Sequence, residues 1–344
     1  MRVRKSFKRF RVGWPRYWTR SAPLFSRLLR PILTTWMYRK RSKISNAPRI
    51  QVTIPIVCIG NLVVGGSGKT PLLGMLTVAL KRAGLAPGIV SRGYGGKVTD
   101  LPIEVEQGSD PYRVGDEPLM LKQQTECPVV VCRNRSRAVE LLCLHHDLDV
   151  ILADDGLQNS QFWRDLSVVV FNKNQGIGNG LEIPFGPLRE PIDVLDQMDA
   201  IVVRDTAYPR EMLIEMGIET KTKVFSSESC MAYAYRSDTP TIRRPLGSLA
   251  SLGRFDAIAG IANPDIFFEG LTDAGLSINK YRFTDHHHYD LKDIQELSLI
   301  ITTEKDAVKL IQLGINPFWV VALESQQPEF ENFLIKFLQN WSKV

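Results

Sequence analysis

Beyond residue 50 the chain alternates short apolar runs with stretches of helical period. Residues 54–59, 88–91, 129–132, 150–153, 168–171 and 200–203 are apolar over the length of a strand. Between them, 71–82 (closed by Gly84) and 136–146 carry helical patterning. Unbroken apolar runs suit strands covered on both faces, and their alternation with helices predicts a parallel sheet. The alternation resumes with 257–261, a helix opened by Asn263 and Pro264, then 278–283, 299–302 and 318–321, and a last helix over 328–341. The intervening 237–249 holds two prolines, Arg243, Arg244 and little periodicity, which predicts a hinge.

Ahead of residue 50 the pattern changes. Leu24, Phe25, Leu28, Leu29, Ile32, Leu33, Trp36 and Met37 fall on one side of a helix. Ser21 suits its N-cap, Pro23 its first turn, and Pro31 predicts a kink or two short helices. Fourteen Lys/Arg lie between Arg2 and Lys43, interleaved with Phe7, Phe10, Trp14, Tyr17, Trp18 and Trp36. The uncharged run 31–38 falls far short of the roughly 20 residues that span a bilayer, and no compact apolar core with a cleavage site marks a secretory signal. Residues 1–49 therefore read as a basic amphipathic arm. It fits an anionic membrane surface, where each cation contributes roughly 1 kcal/mol. A nucleic-acid arm or a solvated tail would use the same charges, although no helix-turn-helix, zinc or RNA-binding motif supports a nucleic-acid partner.

Composition sharpens this picture. The formal charge of +6 conceals a polarity: every charged residue before Asp100 is basic, so the remainder is net acidic. A length of 344 residues with 44% hydrophobic content allows about two domains with real cores, and excludes disorder, collagen and a disulfide miniprotein. Cys58, Cys127, Cys132, Cys143 and Cys230 are odd in number and lack CxxC spacing, as expected of reduced thiols in a cytoplasmic compartment.

The strongest chemical signal is Gly65-Gly66-Ser67-Gly68-Lys69-Thr70, set between an apolar strand and a helix. Glycines let the backbone curl its N–H groups toward phosphate oxygens, Lys69 would reach the β/γ-phosphates, and Thr70 would help hold Mg²⁺. The full pattern wants glycine where Val63 stands. The apolar run 150–153 ends in Asp154 and Asp155, at the sheet edge where parallel sheets bind ligands, so either carboxylate could complete a metal site. Asn172-Lys173-Asn174-Gln175 lacks the terminal Asp of a guanine reader, which favours ATP. The fold class expected is α/β: a P-loop NTPase-like parallel-sheet domain over 50–236, the hinge, and a smaller α/β domain over 250–344.

Eight motifs occur in an order that has a known counterpart. They are Gly60-Asn61-Leu62 with the glycine loop, Ser91-Arg92-Gly93-Tyr94-Gly95, Val114-Gly115-Asp116-Glu117-Pro118 and Asp154-Asp155-Gly156-Leu157-Gln158, then Gly178-Asn179-Gly180, the run from Gly186 to Pro191, Asp285-His286-His287 and Thr303-Glu304-Lys305-Asp306-Ala307. Over roughly residues 50 to 325 this resembles the tetraacyldisaccharide 4′-kinases, the lipid A 4′-kinases of Gram-negative bacteria. The resemblance implies ATP-dependent phosphorylation of the 4′-hydroxyl of a tetraacylated glucosamine disaccharide 1-phosphate. It also implies peripheral or monotopic attachment at the cytoplasmic face of the inner membrane. It makes Asp116 the catalytic base, working with His286, and places Gln158, Arg189, Glu190 and Asp285 around the substrate.

Such roles are chemically reasonable. A positioned carboxylate can accept the proton of an attacking sugar hydroxyl, His286 could orient it, and Asp285 could fix the imidazole tautomer. Read without the resemblance, Asp116 looks like a helix N-cap. Three adjacent histidines, 286–288, invite a metal-site reading, but neighbouring side chains cannot all converge on one ion. Arg92 and Arg133 or Arg135 follow strand ends and could meet phosphates or water, and Lys305 opens a helix with a supporting role. Asn159 stands where the family commonly has His, and its amide cannot titrate. A P-loop regulatory ATPase acting on a membrane partner is the alternative; it would need neither Asp116 nor His286. The sequence specifies no oligomeric state.

Overall fold

The computed structural model describes residues 15–18, 35, 50–159 and 161–341. The amphipathic arm helix, with its cap at Ser21 and kink at Pro31, lies outside the described residues apart from Thr35.

Among the described residues thirteen strands form one sheet. In chain order they are β1 (Ile56–Gly60), β2 (Pro87–Ser91), β3 (Ile103–Glu104), β4 (Val129–Val131), β5 (Val150–Asp154), β6 (Leu166–Asn172), β7 (Ala200–Arg204), β8 (Lys223–Arg236), β9 (Thr239–Pro245), β10 (Arg254–Ala259), β11 (Ser277–Arg282), β12 (Ile300–Thr303) and β13 (Trp319–Gln326). Across the sheet the order is β11-β10-β12-β13-β8-β7-β6-β1-β5-β2-β4-β3, with β9 paired to β8. Pairing is parallel except at β3–β4, β8–β13 and β8–β9. Every apolar run expected as a strand is one. Each of the central strands β1, β2, β5 and β7 is buried along its whole length, which is why their sequences show no alternation.

The helices are α1 (Lys69–Arg82), α2 (Pro111–Val114), α3 (Asp116–Thr125), α4 (Arg135–His145), α5 (Pro209–Glu215), α6 (Pro264–Asp273), α7 (Glu304–Gln312) and α8 (Pro328–Asn340). They cover both faces, so each half of the sheet has two apolar cores. Strand β8 joins the halves: its first residues run parallel to β7, and its remainder runs antiparallel to β13. The segment 237–249, expected as an irregular hinge, instead contains β9, which returns along β8, followed by a 3₁₀ turn at Leu246–Leu252. All of β9 is exposed, so it has no apolar pattern to betray it.

Candidate active site

Register places the chemistry at one edge. Ile59 of β1 pairs with Asp154 of β5, so the loop leaving β1 and the two acids ending β5 start side by side. Within that loop Asn61 donates to the carbonyls of Val63 (2.7 Å) and Gly65 (3.2 Å), folding the chain over itself. Val63 is buried and bridges antiparallel to Leu188, which explains why an extended β-branched residue replaces the usual glycine there. Gly68 is glycine by necessity: its φ is +76° and a Cβ would collide with the guanidinium of Arg204. Arg204 ends β7, is buried, and donates from Nη1 to the Gly68 carbonyl at 2.6 Å. Burial pulls its pKa below the usual arginine range.

The two acids take different partners. Thr70 Oγ1 lies 3.5 Å from Asp154 Oδ1 and 3.1 Å from Glu117 Oε2. Asp154 also accepts from Ser91 Oγ at 3.4 Å. Its burial, with Glu117 and Asp155 nearby and only partly offset by Lys69, raises its pKa to about 7. Asp155 turns away in a left-handed conformation (φ 50°) and is gripped by Arg189 Nη1 at 2.8 and 3.0 Å, with Lys69 Nζ at 3.9 Å. Burial would raise the Asp155 pKa, but Lys69 and Arg189 hold it below the ordinary value. Gln158 completes this group, donating to Asn61 O and Glu190 Oε2, each at 3.3 Å, and accepting from Arg189 at 3.5 Å.

Asp116 is brought to this edge by α3. It is the first helical residue rather than the cap, since Gly115 holds the N-cap position with φ 96°. That corrects the capping reading. The Asp116 side chain is 4% exposed and meets His286 Nδ1 at 2.9 Å (Oδ1) and 3.1 Å (Oδ2). Lys309 Nζ lies 3.3 Å from Oδ2 and ties it to the buried Asp306 at 3.0 Å. Burial alone would raise the Asp116 pKa; the His286 hydrogen bond, Lys305 and Lys309 bring it down to about 2. Gly95 lets the 91–96 loop close on the imidazole, because a Cβ there would lie 2.9 Å from Nδ1, and Tyr94 packs edge-on against the ring.

Asp285, expected to set the imidazole tautomer, is 3.8 Å from Nε2, while Lys305 Nζ is at 3.2 Å. The three adjacent histidines diverge: His287 pairs with Asp293 at 3.0 Å and His288 stacks on Tyr112. Of the arginines, Arg92 and Arg133 are exposed, whereas Arg135 is buried and holds the Asp154 carbonyl at 2.9 Å. Asn159 forms a local turn, accepting from Gln161 N at 2.7 Å. The Gly178-Asn179-Gly180 motif docks the described piece of the arm: Asn179 donates to the carbonyls of Trp18 (2.8 Å) and Tyr17 (3.2 Å), and Trp18 Nε1 donates to Pro184 O at 3.0 Å.

A profile of the family described as Tetraacyldisaccharide-1-P 4′-kinase matches residues 22–339. The chain belongs to this family. The match reaches into the arm and through the last helix, beyond the stretch covered by the eight motifs. Among similar proteins are the tetraacyldisaccharide 4′-kinases of Coxiella burnetii, 34% identical over 95% of each chain, and of Dechloromonas aromatica, 38% identical over 87% of this chain and 88% of that one. The crystal structure of Aquifex aeolicus LpxK in complex with ATP is similar in fold, with a TM-score of 0.72 and 25% identity over 91% of this chain and 97% of that one.

Three residues of the site escaped the sequence reading. Glu117, Lys309 and Arg204 each look like ordinary charges on a helix or at a strand end. Burial is what distinguishes Lys309 and Arg204, and the sequence signals it only faintly, through the apolar residues around them.

Proposed function

We propose that this chain transfers the γ-phosphoryl group of ATP to the 4′-hydroxyl of a tetraacylated glucosamine disaccharide 1-phosphate. It is an ATP-dependent kinase acting on a lipid A precursor. One observation carries the finer reading: the Asp116–His286 pair stands beside the glycine loop, linked to it through Glu117 and the Thr70 hydroxyl. A P-loop that only switches on nucleotide state needs no such pair. In the reading proposed, the N–H groups of residues 65–70 and Lys69 hold the β- and γ-phosphates. Asp116, ionised and oriented by His286, accepts the sugar proton as oxygen attacks phosphorus. Arg189, Glu190 and Gln158 position the sugar, and Asp285 supports the site through Lys305.

The donor set around Thr70 fits Mg²⁺. Among the described residues no three of His, Cys, Asp and Glu cluster as a metal cage. A hydroxyl between two carboxylates, one of them buried and beside a third, Asp155, suits a hard cation shared with nucleotide oxygens. Thr70 and Asp154 would hold it, and it would neutralise charge on the transferring phosphate. Asp155, engaged by Arg189, would contribute through water.

The basic arm, in this reading, rests on the anionic cytoplasmic surface of the inner membrane as a peripheral or monotopic element, bringing the site to its amphiphilic substrate. No helix among the described residues is long and apolar enough to cross a membrane. The two halves of the sheet are read as a kinase domain over 50–236 and a smaller domain over 250–344. The test is incubation with γ-labelled ATP and the disaccharide precursor in anionic vesicles, with mass analysis of the lipid. One added phosphate at the 4′ position is expected, and removal of residues 1–43 should raise KM more than it lowers kcat. ATP hydrolysis without lipid phosphorylation would favour the regulatory ATPase.

A further inference from the structure

We propose that Lys305 is a positioning residue for this reaction, its ammonium keeping hydrogen off His286 Nε2 so that the ring meets Asp116 with a single hydrogen, on Nδ1. The inference rests on the kinase reading above for its kinetic consequence, but not for its geometry. An ammonium has three donors and no acceptor. Around Lys305 Nζ stand three acceptors: Asp285 Oδ1 at 2.8 Å, His286 Nε2 at 3.2 Å and Glu117 Oε1 at 3.3 Å. Because Lys305 can only donate, Nε2 must accept, and the ring hydrogen then sits on Nδ1, between the two Asp116 oxygens. His286 thereby donates to the base and does not compete with it for the sugar proton.

The placement of Lys305 argues against a merely structural role. It lies in the first turn of α7, where the helix dipole disfavours a cation and where its neighbours Glu304 and Asp306 are acidic. Its side chain is only 12% exposed, so the charge is held inward, toward the dyad. The same ammonium also spans two groups of residues. Through Glu117 it reaches the Thr70 hydroxyl on the nucleotide side, and through His286 it reaches Asp116 on the acceptor side. Without it, Nε2 would face the Asp285 carboxylate, which draws a second hydrogen to the ring while Asp116 keeps the first on Nδ1; the imidazolium so formed pairs more tightly with Asp116 and weakens it as a base.

The chain has five histidines, few enough to resolve by ¹⁵N-histidine NMR, with His286→Gln identifying the signal of interest. The unaltered protein should show a protonated Nδ1 and an accepting Nε2 at His286. In Lys305→Met a second hydrogen should join it, on Nε2. The kcat for lipid phosphorylation should fall by up to roughly 10²- to 10⁴-fold, the usual contribution of a positioned general base. The KM for ATP should stay within about threefold. Lys305→Arg, still a donor, should keep the Nδ1–H signature and recover much of the rate. Should the Met variant fold poorly, Lys305→Ala, which removes the donor without leaving a long apolar side chain beside the carboxylates, should shift the signal in the same direction. An Nε2 that still carries no hydrogen in Lys305→Met overturns the proposal. So does a loss confined to ATP affinity, which would make Lys305 a nucleotide contact. If no lipid is phosphorylated by the unaltered protein while the NMR signature is as expected, the kinase reading fails and the tautomer assignment stands.

Discussion

Asp116 shows how much a single carboxylate can be asked to do. Burial disfavours its charge, yet His286, Lys305 and Lys309 overcompensate and hold its pKa near 2. A folded-state value below the unfolded one, about 3.9, means that ionised Asp116 stabilises the fold above roughly pH 4 and that this contribution is lost as pH falls toward 2. Its size is about 2 kcal/mol. The stability gap between the unaltered protein and Asp116→Asn should therefore narrow by about 1 kcal/mol between pH 5 and pH 3, as read from urea unfolding. A gap that widens on acidification would mean that the cations do not stabilise the carboxylate. The same variant should lose lipid phosphorylation while binding ATP with near-normal affinity. At this scale the sequence was legible where chemistry is written locally. The glycine loop with Lys69 and Thr70 and the strand end with Asp154 and Asp155 are local runs, and register sets them side by side. The division of labour between Asp154 and Asp155 was not legible, because it depends on the reversal of φ at Asp155 and on an arginine 34 residues away.

Helix α3 presents Asp116 only because its N-terminus is pressed against the loop that follows β2. Gly115, its cap, has φ 96°, and a Cβ there would lie 2.8 Å from the Tyr94 carbonyl, a backbone atom that cannot rotate aside. Gly115→Ala should cost roughly 1–3 kcal/mol in stability and lower kcat by at least about tenfold, since a shift on the order of 1 Å at a catalytic group is enough to do so. Thermal melts paired with the kinase assay check both effects; a stable variant with full activity would show that the loop and the helix move together without consequence. The motif pairing of Arg92-Gly93-Tyr94-Gly95 with Gly115-Asp116 in the sequence thus has a steric meaning that periodicity cannot express. Periodicity also missed β8, whose residues are mostly half-buried or exposed and include three serines, and β9, which is exposed throughout. Apolar runs reveal strands that are covered on both faces, and these two are not.

At the scale of the molecule, the site depends on the two halves of the sheet being held together. Asp116 and the glycine loop come from one half; His286, Lys305 and Lys309 come from the other. A strand and two helices tie the halves, one of the helices being α7, which sets Val308 in the first half's core and Lys309 on Asp116. Strand β8 belongs to both, and helix α8 leaves the second half to bury Phe330 and Leu334 in the core formed by Val57, Leu72, Leu76 and Val168 of the first. Phe225 of β8 packs against Phe330 and Phe333 at the same place. The α8 contact is invisible to a reading that assigns 250–344 to its own domain, because amphipathic periodicity says that a helix is covered without saying by what. Phe330→Ala should destabilise the protein by about 3–5 kcal/mol, the usual cost of emptying a fully buried aromatic site. If α8 is part of the first half's core, hydrogen-exchange protection should fall in Lys69–Arg82 together with Pro328–Asn340. The glycine loop that opens the first of these helices would loosen with them, raising KM for ATP although Phe330 touches no part of the site. If protection falls in α8 alone, the last helix is an attachment, and β8 with the packing of α7 on α3 keeps the P-loop in register with the dyad.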